Sequence, residues 1–273
     1  MTGILEKIVA AKRVEIAALK RAEPLEKVRA AAQAAAPALD FAGALRGARP
    51  RGGAGEANII AELKNRSPSK GEFPWHGDVT RQVRAYEQGG AKAISVLTDE
   101  PFFGGSPQLL REIKVITGLP VLQKEFVLDA YQVVYARALG ADALLLIARI
   151  LPGSLLGELV HLARECGLAT LVEVVDGQEL ARAAQAGAEV IGVNNRDLGT
   201  FTTDLHHTLA LLPHFNEGQV AITESGIHTR EDVEIMMEAG VDGFLIGEAL
   251  MVAPDPAAHL RMLRGLPQTE AAS

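Results

Sequence analysis

Two hydrophobic rhythms divide the chain. Over residues 3–20, Leu5, Ile8, Val9, Ile16 and Leu19 recur at helical spacing with charges between them, which predicts an amphipathic helix. Residues 24–36 predict a second helix, opening near Pro24, rich in Ala and stopped by Pro37. Neither helix follows a strand, so the pair reads as an extension ahead of the main fold. The run 46–55, RGARPRGGAG, reads as a flexible connector. From Asn58 the rhythm changes. Apolar runs at 58–64, 93–98, 121–126, 143–147, 170–174, 190–193, 220–223 and 243–246 predict eight strands. Helical patterns lie between them, as at 79–88, 130–138, 155–166, 178–186 and 230–238. Strands rich in Ile, Val and Leu without alternation belong in a parallel sheet covered by helices. Eight such units predict a (β/α)8 TIM barrel with an N-terminal helical extension. The expected organisation is an extension and connector over 1–55, a barrel over 56–265 and a tail over 266–273.

An internal repeat supports the barrel. EQGGAKAISVL, ALGADALLL, QAGAEVIGV and EAGVDGFLIG each end a helix with Gly and enter a strand. They recur about every 50 residues, the length of two strand–helix units, and mark the second, fourth, sixth and eighth strands. A doubly wound open sheet is the alternative, but no GxGxxG follows the first strand.

The chain has 273 residues, 48% of them hydrophobic and 22% charged, material for one large soluble domain or two small ones. The net charge is −7 and the cations are dispersed, so no nucleic-acid partner is expected. The single cysteine, Cys166, permits no internal disulfide and reads as inert packing at a helix end. No apolar run reaches the roughly 18 residues that cross a bilayer. Glu6, Lys7, Lys12 and Arg13 break up any signal-peptide core. A reducing, cytoplasmic setting is expected, with no membrane partner and a monomeric state.

In such a barrel the chemistry sits at the C-terminal ends of the strands. Polar residues fall there on every predicted strand. In order, they are Glu62, Lys64 and Ser67; Ser95, Thr98 and Asp99; Lys124; Arg149; Glu173; Asn194, Asn195, Arg196 and Asp197; Glu224 and Ser225; and Glu248. Each alone could be a satisfied structural group, and Glu62 with Lys64 could be a plain ion pair at a strand end. Polar groups at one end of all eight strands point to a site. Ser225-Gly226-Ile227 and Ile246-Gly247-Glu248 follow the last two strands. Their backbone N–H groups, with a short helix opening near Gly247, predict a phosphate site. Glu248 must then turn its side chain away. The seven histidines show no HxH or HExxH spacing, so no metal is expected. There is no nucleophile elbow and no Walker loop.

AELKNRSPSKG, AISVLTDEPFFGGS, VLQKEFVLDAYQV, LLLIARIL, LVEV, IGVNNRDLGTF, ITESGI and FLIGEALM occur in this order. Together they resemble the indole-3-glycerol-phosphate synthase family of tryptophan biosynthesis over nearly the whole chain. The resemblance implies the same extended (β/α)8 barrel. It implies a carboxy-lyase, free of cofactor and metal, that acts on a small phosphorylated substrate, 1-(2-carboxyphenylamino)-1-deoxyribulose 5-phosphate. The pyrrole ring closes and carbon dioxide and water leave. By the same resemblance Lys124 is the general acid for ring closure and Glu173 the acid–base group of dehydration. Glu62, Lys64 and Asn194 are the remaining catalytic polar groups. Ser67, Arg196, Glu224, Ser225, Gly226, Ile246, Gly247 and Glu248 bind the substrate, and Phe126 and Leu198 meet its aromatic ring. A Lys whose pKa is lowered by burial near Lys64 would suit the acid role.

One segment departs from the family. After SPSKG the family usually reaches an Asp-Pro, whereas this chain reads Glu72-Phe73-Pro74-Trp75-His76-Gly77-Asp78-Val79. An altered loop closure is therefore expected, with the reaction unchanged. Three rival functions remain. They are a Schiff-base aldolase using Lys124, a phosphoribosylanthranilate isomerase, and a phosphate-ligand sensor without turnover. The isomerase would be expected to use a Cys and an Asp, and Cys166 lies before a strand rather than after one.

Overall fold

The computed structural model describes residues 3–46, 55–68, 70–73, 78–197 and 200–267. The eight apolar runs become eight strands: β1 (Asn58–Leu63), β2 (Ala93–Leu97), β3 (Val121–Lys124), β4 (Ala143–Ile147), β5 (Ala169–Val174), β6 (Val190–Asn194), β7 (Val220–Glu224) and β8 (Gly243–Ile246). Each pairs in parallel with its successor, and β8 pairs with β1 to close the barrel. The expected (β/α)8 architecture is therefore present. Strands such as β1, β4 and β8 are buried along their whole length, which is why their sequences show no alternation. Lys64, Thr98, Glu125 and Phe126 fall just beyond their strands, in the loops of the C-terminal mouth.

Thirteen α-helices occur among the described residues. The extension contains α1 (Gly3–Ala22), α2 (Leu25–Ala34) and α3 (Phe41–Leu45). The barrel adds α4 (Val79–Gly89), α5 (Glu100–Phe103), α6 (Pro107–Ile116), α7 (Ala130–Leu139), α8 (Leu155–Glu165), α9 (Gly177–Gln185), α10 (His206–Leu211), α11 (Arg230–Ala239), α12 (Glu248–Met251) and α13 (Pro256–Arg264). Asp and Ser or Thr side chains cap many of them; Asp78, Asp129, Asp176 and Asp255 each accept from a first-turn amide. The repeat glycines Gly90, Gly140, Gly187 and Gly240 all have positive φ, as helix-ending glycines should.

The extension touches both ends of the barrel. At the N-terminal end of the strands, Phe41 and Leu45 of α3 are fully buried. There Asn58 donates to Leu45 O at 2.9 Å and to Asp242 O at 3.1 Å, and Leu39 N donates to Asp142 Oδ1 at 2.9 Å. Five residues are too few to reveal a period, so α3 was not legible in the hydrophobic pattern. Along the side, α2 lies on α7, with Tyr131 donating to Glu23 O at 2.7 Å and Arg137 to Ala35 O at 3.1 Å. At the C-terminal end, α1 buries Leu5, Ile8, Val9 and Ile16. Among the described residues no helix is long and apolar enough to cross a membrane. Most of the connector, 47–54, and the tail from 268 lie outside the described residues, as do Pro74, Trp75, His76 and Gly77 of the departing loop.

Candidate active site

One cavity opens at the C-terminal mouth, and its polar floor comes from strand ends. Glu62 of β1, Lys124 of β3, Glu173 of β5 and Asn194 of β6 line it, with Lys64 just after β1. Lys124 Nζ lies 3.0 Å from Glu62 Oε2 and 3.1 Å from Glu224 Oε2. Lys64 Nζ lies 2.8 Å from Glu62 Oε1. Asn194 donates to Glu173 Oε1 at 3.2 Å. The register brings neighbouring strand ends level: Asn194 pairs with Glu224 and Ile147 with Glu173, each at the last or next-to-last position of its strand.

The charges set one another. Burial would push the Glu62 carboxyl up, but Lys124 and Lys64 outweigh it and hold the group down to about 2. Burial would lower the Lys124 pKa, but Glu62, Glu224 and Glu173 raise it above the ordinary lysine value. The expectation of a lowered Lys124 pKa is therefore corrected: three carboxylates surround the ammonium, and Lys64 is spent on Glu62. Glu173 behaves oppositely. Burial and the neighbouring Glu224 raise it to about 7, against the pull of Lys124 and Asn194. Glu224 is also raised by burial, although Lys124 opposes the shift.

A second group of residues lines the end of the cavity nearest β7 and β8. Ser225, Gly226, Ile246, Gly247, Glu248 and Arg196 line the cavity there, and Ser67 joins from the β1 loop. A Cβ on Gly247 would stand 2.5 Å from Glu62 Oε1 and 3.0 Å from Lys64 Nζ, so only glycine fits beside that pair. Ser225 has φ +66; among the described residues only it and Phe201 are non-glycine residues in the left-handed region. Strain of this kind is held where surrounding structure over-determines it. Asn195 supplies that support, donating to Glu224 O at 3.0 Å and Ser225 O at 3.1 Å. The Glu248 carboxylate pairs with Lys70 at 3.2 Å and with Arg196 at 3.2 Å.

The remaining wall is apolar. Phe126 and Phe103 stand with ring centroids 6.0 Å apart, and Leu97, Leu145 and Ile147 extend the surface. Ile4, Leu5 and Ile8 of α1 and Phe201 complete it. Sequence reasoning missed Phe103, Phe201 and the α1 residues. Phe103 belongs to a four-residue helix, and the apolar stripe of α1 does not reveal what it faces.

Several candidates lie elsewhere. Arg149 turns out to α9, with Nε 2.8 Å from Glu179 Oε1. Ser95 is buried, Thr98 donates to Glu125 at 2.9 Å, and Asp99 caps α5. Asn195 and Asp197 shape the β6 loop. Glu224, expected at the substrate, sits beneath the floor against Lys124 at 1% exposure. Leu198 lies outside the described residues. Among the described residues no group of three or more His, Cys, Asp or Glu could hold a metal. Cys166 is half-buried at the end of α8, and burial raises its thiol pKa.

The sequence model of the family described as indole-3-glycerol phosphate synthase matches residues 5–263. A protein of that name from Azoarcus sp. (strain BH72) is 46% identical over 267 residues, covering 97% of this chain and 100% of its own. Another, from Albidiferax ferrireducens (strain ATCC BAA-621 / DSM 15236 / T118), is 47% identical over 263 residues, covering 96% and 98%. Among solved structures, thiamine phosphate pyrophosphorylase from Pyrococcus furiosus matches with a TM-score of 0.57 at 18% identity, over 77% of this chain and 94% of that one. At that identity the likeness is one of fold.

Proposed function

The chain belongs to the indole-3-glycerol phosphate synthase family, and from that premise we propose how its residues divide the reaction. The enzyme is a decarboxylating, ring-closing lyase of tryptophan biosynthesis that acts on a small phosphorylated substrate. The ring carbon bearing the carboxylate attacks the ribulose carbonyl, and the Lys124 ammonium gives its proton to the carbonyl oxygen as the bond forms. Carbon dioxide leaves, and its electron pair restores the aromatic ring. Glu173 then takes a proton from the adjacent CH2 carbon and returns a proton to the hydroxyl on the former carbonyl carbon, which leaves as water, while solvent reprotonates Lys124.

The division suits the electrostatics. An acid must hold its proton when substrate arrives, and the carboxylates around Lys124 ensure that it does. A base working near neutrality is best poised near neutrality, and Glu173 is raised to about 7. Glu62 and Glu224 orient the Lys124 ammonium, Lys64 holds the other oxygen of Glu62, and Asn194 orients Glu173. Ser225, Gly226 and Gly247 receive the phosphate, with Ser67 and Arg196 beside them. Phe126 meets the aromatic ring. Holding both ends of a flexible molecule supplies much of the rate.

The single supporting observation is that Lys124 and Glu173, from different strands, line one cavity between a glycine-rich end and an aromatic wall. The division into extension, barrel and tail belongs to the same reading, with the extension serving the mouth of the barrel. So do a monomeric, cytoplasmic enzyme and the absence of a nucleic-acid partner, for which the net charge of −7 is the support. The test is indole fluorescence on adding the carboxyphenylamino sugar phosphate. Binding without release of carbon dioxide would point instead to a sensor.

A further inference from the structure

Lys12 lies on α1, 4% exposed, with its ammonium buried among carboxylates. Nζ is 2.9 Å from Asp99 Oδ1 and 3.0 Å from Glu125 Oε1; Glu15, one turn along the same helix, completes the set at 2.5 Å. A lysine is rarely this buried unless it is paired, and these partners hold its proton firmly. The two barrel carboxylates do further work. Asp99 Oδ2 accepts from Phe102 N at 2.9 Å and Phe103 N at 3.2 Å, which fixes the helix carrying Phe103. Glu125 Oε1 also accepts from Phe126 N at 2.8 Å, and its Oε2 accepts from Thr98 Oγ1 at 2.9 Å. Each carboxylate thus fixes the backbone amide of one ring of the aromatic wall. The same ammonium docks α1, whose Ile4, Leu5 and Ile8 form the adjoining wall.

We propose that Lys12 is a positioning residue for the aromatic half of the substrate, joining Phe103, Phe126 and the apolar face of α1 into one seat. The inference rests on the functional reading above. Lys12 does not itself line the cavity; it acts through Asp99, Glu125 and its own helix. Its removal strands two buried carboxylates, which then draw in water and loosen both rings. The phosphate end, built from β7 and β8, is left unaltered.

Lys12→Met in the full chain separates these ends. KM for the carboxyphenylamino substrate is expected to rise about tenfold with kcat within about threefold, because ground-state and transition-state binding of the ring are lost together. The inhibition constant of ribulose 5-phosphate, which carries the sugar phosphate without the ring, should stay at the unaltered value. An unchanged KM overturns the assignment, as does an equal rise in both constants, the mark of a merely structural role. If Lys12→Met does not fold, Glu125→Gln decides. It keeps an acceptor for Phe126 N and removes the charge, so a rise of about threefold in KM alone is expected, and a normal KM overturns the proposal. If the unaltered protein fails to turn over, the functional reading falls and this inference with it. If it turns over and Lys12→Met matches it, only the Lys12 assignment falls.

Discussion

Lys124 keeps its proton because its carboxylate neighbours outweigh burial, and Glu173 resists losing its own because burial and Glu224 reinforce each other. Two side chains on one floor are thereby driven apart in acidity. Lys124→Met should lower kcat by about 10²–10⁴-fold, the usual contribution of a general acid, while substrate still binds; near-normal turnover would remove the role. The rate should rise with pH along a limb near 7, because Glu173 must be ionised to act and burial holds it protonated below that point. The limb belongs to the Glu173–Glu224 pair, and a pH profile of Glu173→Gln should lose it. Gly247→Val would drive a side chain into Glu62 and Lys64. KM is expected to rise about tenfold, as measured in steady state, through a displaced phosphate seat.

At the scale of elements, the site depends on how strand ends are held level. Asn195 is fully buried. It donates to Thr223 Oγ1 at 2.8 Å and to two carbonyls of the β7 turn, and accepts from Thr208 N at 3.2 Å and Thr208 Oγ1 at 2.8 Å. It therefore ties β6, β7 and α10 to the turn presenting Ser225. Asn195→Ala leaves several buried polar groups unpaired, which should cost about 2–4 kcal/mol in urea denaturation. It should also raise KM, since the left-handed Ser225 loses its support; stability loss with an unchanged KM would separate the turn from phosphate binding. The second Asn of the NNRD run was legible as a polar group at a strand end. Its partners come from three elements, so its supporting role was not.

At the scale of the molecule, the extension closes the barrel below and shapes its mouth above. Phe41 is fully buried at the lower end. Phe41→Ala should cost about 3–5 kcal/mol by chemical denaturation, through lost burial and a residual cavity, while KM stays at its unaltered value. Stability should also depend on acid. Glu62 is held at about 2 in the folded protein, against an ordinary 4.5. A lowered carboxyl pKa stabilises the fold above the unfolded value, and that contribution fades as pH falls from about 4.5 through 2. A Glu62→Gln variant should show a shallower acid limb in unfolding experiments.

The periods of the sequence determined the barrel. Eight apolar runs with helices between them, broken by recurrent Gly, admit few other closed arrangements, and the polar groups at their C-terminal ends marked the mouth where the cavity opens. Local signals also put Lys124, Glu173 and the glycines of the last two loops at the strand ends where the cavity lies, since strand ends and turns are short-range features. Tertiary structure alone decided the charge environment. The raised pKa of Lys124 depends on Glu62 and Glu224, which are distant in sequence and adjacent only once the barrel closes. It likewise decided where α1 lies and what Lys12 touches, because an amphipathic stripe states that a face is buried and leaves its partner to the packing of the whole chain.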